Sequence, residues 1–186
     1  MNCFISAKTA LDQAITHIER FQNRRRCLEP SSPAIPPHAQ LALRLALQSA
    51  VARGRLTCFV SETFSPDNAA LCMLCVQATV RLHDMIQREL KQPEFNRLAM
   101  AAAKISASSV QFASPSGTGQ VAGDLLELDR AQGLDAVVCE RQTDTDLDAW
   151  RTELEFVSRI TGAEIHLVTA RRHAAGRFIP GLRRRA

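Results

Sequence analysis

The chain has 186 residues, 46% of them apolar, and a formal net charge of +4. That length holds one domain with a core of useful size. Eight Phe, one Trp and no Tyr leave few rings for stacking on bases, which counts against an aromatic nucleic-acid surface.

Residues 7–22 read as a helix, because Leu11, Ile15, Ile18 and Phe21 recur at helical spacing and Ser6 or Thr9 stands where a cap is needed. The stretch 24–37 holds Pro30, Pro33, Pro36 and Pro37, which excludes helix and central strand. It reads as a linker or a surface wrap. A second helix is predicted over 38–53, apolar on more than one side through Leu41, Leu43, Leu45, Leu47 and Val51, and ended by Gly54. Leu56–Val60 is a short β-rich apolar run, expected to be a core strand. Ser65-Pro66-Asp67-Asn68 opens a helix expected to reach about Leu90, with another over 94–104.

In the second half, Val110–Ala113 alternates as a strand does, and residues 114–120 form a small-residue loop. A helix is predicted at 121–131, ending at Gly133. Asp135–Glu140 is a strand, the acids from Asp144 to Asp148 open a helix to Thr161, and Ala163–Val168 is a last strand. Strand, loop, helix, strand, helix, strand points to an α/β (or α+β) layer fold. The organisation predicted is an N-terminal helix and Pro-rich linker (1–37), one α/β domain (38–170) and a basic tail (171–186).

Six cysteines, at 3, 27, 58, 72, 75 and 139, mostly lie in apolar stretches. The first residues show no secretory leader and no run approaches a membrane span, so the expectation is a reducing, cytoplasmic setting without membrane insertion. Cys72-Met73-Leu74-Cys75 is a CxxC without a second ligand pair, and it reads as core packing before metal or redox chemistry. His166 lies within an apolar strand, where a core or edge histidine is the plain reading. A Cys72–His166 dyad, the basis of a cysteine-dependent hydrolase, lacks any local signature.

Three features bear on phosphate. Ser116, Gly117, Thr118, Gly119 and Gln120 present small residues before a helix, so backbone N–H groups and the helix dipole can face an anion. The Lys-Ser/Thr pair of a P-loop is absent, and a plain surface turn is the competing reading. Arg171, Arg172, Arg177, Arg183, Arg184 and Arg185 crowd the tail, and guanidinium groups suit DNA phosphates; the alternative is a solvated tail. Asp144, Asp146 and Asp148 suit N-capping of the following helix, or else a magnesium site.

The run Leu128-Asp129-Arg130-Ala131-Gln132-Gly133-Leu134-Asp135-Ala136-Val137-Val138-Cys139-Glu140-Arg141, the acidic stretch after it, and Trp150-Arg151-Thr152-Glu153-Leu154-Glu155 followed by Phe156–Arg159 together resemble the ParB/sulfiredoxin superfamily. The resemblance covers roughly residues 110–160. It departs at the family's Gly-x-x-Arg box: Gly117 or Gly123 takes the place of the glycine, neither has Arg three residues on, and Arg130 stands further along. What it implies is a ParB/sulfiredoxin-like core behind a mainly helical N-terminal part, with ATP hydrolysis and DNase activity. It further implies a plasmid-type fertility-inhibition protein that blocks DNA export by a type IV secretion system. On that reading Glu140, Arg141 and Asp144 are catalytic, Ser116–Gln120 and Arg130 hold the nucleotide, magnesium assists, and the tail arginines hold DNA. The alternative is a non-catalytic module that binds DNA or the secretion coupling machinery.

Overall fold

The structure, a computed structural model, describes residues 4–23, 35–87, 90–114, 120–142 and 146–170. In chain order they form β1 (Phe4–Ser6), α1 (Ala7–Asn23), α2 (Pro37–Leu47) with a π-helical turn (Gln48–Ala52), and β2 (Thr57–Ser61). Then come α3 (Pro66–Ala78), α4 (Leu82–Gln87), α5 (Gln92–Ser106), β3 (Val110–Ala113) and α6 (Val121–Gln132). β4 (Ala136–Arg141), α7 (Leu147–Thr161) and β5 (Glu164–Thr169) follow.

The strands make one sheet in the order β1-β3-β2-β4-β5. β3, β2, β4 and β5 run parallel, and β1 pairs antiparallel to β3. The fold is therefore mixed α/β. β2 and β4 are buried at every position, which explains why they read as unbroken apolar runs and not as alternating strands.

Successive side chains on a strand point to opposite faces. Phe59, Val110, Phe112, Val138 and Val168 face a core built with α1, α2, α3 and α5. Cys58, Val60, Val137, Cys139 and Ile165 face a second core under α6 and α7. Phe59 and Phe112 meet edge to face at 6.1 Å, a geometry worth about 0.5–1.5 kcal/mol beyond burial. From β2 the chain crosses one face to β3, then returns past β2 on the other face to β4 and β5. Right-handed crossovers that reverse direction must use opposite faces, and this is a doubly wound sheet.

Two departures from the sequence reading have clear causes. Residues 4–23, which the sequence sets apart from the α/β domain only as an N-terminal helix, pack on it: Phe4, Ile5 and Ser6 pair with Ala113, Phe112 and Gln111, and Ala7, Ala10 and Leu11 are buried in the first core. Ser6 does cap α1, its Oγ accepting from the Thr9 N–H at 3.3 Å. The helix expected from 65 to about 90 breaks at Thr79, which sits at φ 55°, ψ 47°. There Val80 N–H turns back to the Cys75 carbonyl, and Arg97 Nε donates to the Ala78 carbonyl at 3.1 Å, so the helix end is satisfied without continuing. Among the described residues no helix is long and apolar enough to cross a membrane.

Candidate functional site

In a doubly wound sheet, ligands meet the carboxyl ends of the strands where the winding reverses. Here that point lies between β2 and β4, whose last residues include Ser61, Glu140 and Arg141. Glu140 and Arg141 are consecutive on β4 and therefore leave the sheet on opposite faces.

Glu140 is 1% exposed. It lies in register with Ser61 on β2, so the two side chains share a face. Oε2 accepts from Ser61 Oγ at 2.7 Å and from the Thr63 N–H at 3.3 Å. Oε1 accepts from Thr63 Oγ1 at 2.8 Å and lies 2.8 Å from His38 Nε2, on the first turn of α2. Ser61 Oγ in turn accepts from the N–H groups of Thr63 and Phe64. A buried carboxylate is tolerable only when hydrogen-bonded, and this one is bonded on both oxygens. It ties the turn after β2 to the start of α2. The resemblance implies a catalytic Glu140; here both of its oxygens are engaged within the fold.

Arg141 leaves on the other face, 4% exposed. Its Nη2 lies 2.6 Å from Glu62 Oε1, and its guanidinium carbon sits 4.7 Å from the centre of the Trp150 ring on α7. Nε and Nη1 are buried, with no hydrogen-bond partner among the described residues. An orphaned N–H of this kind costs about 1–3 kcal/mol. The contact with Trp150, about 0.5–2 kcal/mol, and the Glu62 pair offset part of that cost.

The other sequence-predicted residues divide clearly. Gln120 precedes the first turn of α6, exposed, with no side-chain cap bond. It and Ser114 flank residues 115–119 at the carboxyl edge, since Ala113 is in register with Val60 on β2. Ser116, Gly117, Thr118 and Gly119 lie outside the described residues, as do Asp144 and the tail arginines Arg171, Arg172, Arg177, Arg183, Arg184 and Arg185. Arg130 occupies the last turn of α6, just before the chain enters β4. It therefore stands at the amino end of β4, about 16 Å of strand away from Arg141. Arg130 and the Glu140–Arg141 pair therefore lie at opposite ends of β4. Asp146 is the residue before α7, at φ 56°, but its side chain makes no cap bond. Asp148 pairs with Arg151 at 3.7 Å on the surface. Among the described residues no group of three His, Cys, Asp or Glu could hold a metal ion.

Cys72 and Cys75 are buried on α3, and burial pushes both thiols up to about 12, the Cys72 charge adding to the effect at Cys75. Burial raises Cys139 as well, against a smaller opposing pull from Arg141. Cys75 Sγ contacts Met85 Sδ at 3.5 Å. These are packing residues, as the CxxC reading anticipated. His166 sits on edge strand β5 with Nε2 3.2 Å from Glu164 Oε1.

Sequence reasoning missed His38, Ser61, Glu62 and Thr63, and took Trp150 only as part of a resemblance. Ser61 ends the first parallel strand and Glu62-Thr63 follow it directly, and that position was the available signal. Nothing local marks His38.

No family model matches the chain, and no curated protein matches it. Among solved structures it is similar to one described as "The Structure Of A DnaB-Like Replicative Helicase And Its Interactions With Primase", with a TM-score of 0.59 and 10% identity. The alignment covers 72% of this chain and 36% of that one, so this chain spans about a third of the helicase chain. The likeness is one of fold: a mostly parallel α/β sheet with helices on both faces.

Proposed function

We propose that the chain binds a phosphate-bearing ligand, a nucleotide such as ATP, at the carboxyl ends of β2 and β4, with Arg141 as the cation that meets the phosphate. The observation that carries this reading is the buried Arg141 Nε and Nη1, which have no hydrogen-bond partner among the described residues. A phosphate offers the acceptors they lack. The location adds support, being the switch point of the sheet with the ends of the small-residue loop beside it. In the role implied by the ParB/sulfiredoxin resemblance, the module acts in plasmid fertility inhibition, its tail arginines meeting DNA and its domain meeting type IV secretion components.

Between the hydrolytic and non-catalytic forms of that role, the second has the stronger support, because both Glu140 oxygens are already engaged. The hydrolytic form, an ATPase and DNase with magnesium, draws on one observation: a carboxylate orienting an imidazole, as Glu140 does His38, is an arrangement that activates water. Titration calorimetry with ATP on the wild type and Arg141→Ala tests the binding reading. The expected loss is tenfold or more, and equal affinities refute it. ATP turnover and cleavage of linear DNA, with and without magnesium, separate the two forms. Turnover that vanishes in His38→Asn establishes the hydrolytic one.

A further inference from the structure

We infer that the basic tail, residues 171–186, docks on the outer face of α7, its Phe178 and Ile179 resting on Phe156 and Ile160 and its arginines facing the acids of the α6–α7 layer. The inference is independent of the phosphate reading of Arg141. Phe156 and Ile160 lie four residues apart on α7, so they stand one above the other as a single apolar strip. They are 49% and 56% exposed. Trp150, Leu154 and Val157 of the same helix take the side that faces the second core. The strip therefore plays no part in that core and is open to a partner.

Charge selects the occupant. α6 and α7 together carry six acidic side chains against three arginines, whereas the helices from α1 to α5, in the opposite layer, carry five acids and five Lys or Arg. On α7, Glu155 is exposed and the Asp148 side chain is 97% exposed. Residues 171–186 hold six arginines and no acid, and Phe178-Ile179 lies between Arg177 and Arg183. An apolar pair set among cations thus matches an apolar strip set among carboxylates. The other basic run, Arg24, Arg25 and Arg26, joins α1 to α2 and belongs to the opposite layer.

The tail also reaches. Thr169 is in register with Arg141, and α7 opens shortly after Arg141, so the tail leaves the sheet at the edge where α7 begins. From Asp148, Phe156 is about 12 Å and Ile160 about 18 Å along the helix. The chain from Ala170 to Phe178 spans up to about 26 Å. So short a tether keeps the tail at an effective concentration of about 1 mM, and an intrinsic Kd of about 0.1 mM then holds it docked about nine-tenths of the time. In the proposed role in which these arginines meet DNA, the docked tail is an autoinhibited state.

Limited trypsin digestion of the full chain tests this, the rate of cleavage after Arg177 being compared with that of a free peptide of residues 171–186. The wild type is expected to be cut about tenfold more slowly than the peptide, as nine-tenths occupancy requires. The double variant Phe156→Ser, Ile160→Ser is expected to be cut within about threefold of the peptide rate. Equal rates for wild type and peptide overturn the docking. Protection that survives in the double variant overturns α7 as its seat, and protection that grows with protein concentration makes the occupant the tail of another copy. If the double variant does not fold, Asp148→Lys with Glu155→Lys, at two exposed positions, is expected to speed cleavage as well, and an unchanged rate there overturns the charge match. Binding of a short DNA duplex is expected to tighten at least about threefold in the double variant. Equal binding removes the autoinhibition, whereas the trypsin rates alone decide the docking.

Discussion

Ser61 and Glu140 face each other across the β2–β4 ladder, joined at 2.7 Å, with almost no exposed surface on either. The bond lies at the end of the two most buried strands of the sheet. It is part of a buried polar cluster, so its members are stable only together.

Glu140→Ala should therefore cost on the order of 3–5 kcal/mol, because His38, Ser61 and Thr63 all lose their acceptor. Glu140→Gln should cost about 1–3 kcal/mol, since its NH2 group must face a donor. Urea denaturation measures both. A loss under about 1 kcal/mol for the alanine variant would show that the cluster does not hold the turn after β2.

Trp150 is the one tryptophan of the chain and it lies against the Arg141 guanidinium. Its emission should report on the proposed site. Adding millimolar phosphate or ATP should shift or quench the fluorescence of the folded protein, and Arg141→Ala should abolish the response. Trp150→Leu should weaken ligand binding several-fold, because the guanidinium loses the ring that holds its plane. An unchanged spectrum under saturating ligand would count against Arg141 as the contact.

The thiols give a pH prediction. Cys72 and Cys75 are raised from 9.0 to about 12 in the folded chain. Below pH 9 they are protonated in both states, and their contribution to stability is complete. Between pH 9 and 12 the unfolded chain releases protons that the folded chain keeps, so stability falls by up to about 1.4 kcal/mol per pH unit for each thiol. Cys72→Ala should flatten that slope. A thiol reagent at pH 8 should label Cys72 and Cys75 only as fast as the chain opens. Rapid labelling of either would revive a cysteine-dependent activity.

Leu11 is 3% exposed beneath α1. Leu11→Ala should cost about 2–4 kcal/mol by cavity formation, measurable by thermal or urea unfolding. A change near zero would mean that α1 leaves the core intact when loosened, as a detachable arm would.

The elements of the second half were legible because each strand is a compact β-branched or apolar run closed by a turn residue. Gly162, at φ 76°, ends α7 where its sequence position said it should. β1 was not legible: three residues carry no period, and its pairing depends on β3, far along the chain. The break at Thr79 was hidden because no Gly or Pro marks it, and the Arg97 side chain that caps it comes from another helix. At the site, the ends of β4 drew attention to Glu140 and Arg141, but their partners did not. Ser61 meets Glu140 across 79 residues of chain and His38 meets it across 102. Such pairings follow from strand order, which local pattern does not specify. Arg130 entered only as a stand-in for the arginine of the Gly-x-x-Arg box, and its place at the amino end of β4 follows from the run of α6, which that box does not specify.

Phe4 pairs with Ala113, so the first strand of the chain has no neighbour until the ribosome has made more than a hundred further residues. At about 5–20 residues per second that is a delay of about 5–20 s. The apolar side of α1 waits for α3 until Ala78 is made and for α5 until Ser106. The two edges of the sheet are thus completed late, β1 after β3 and β5 last of all.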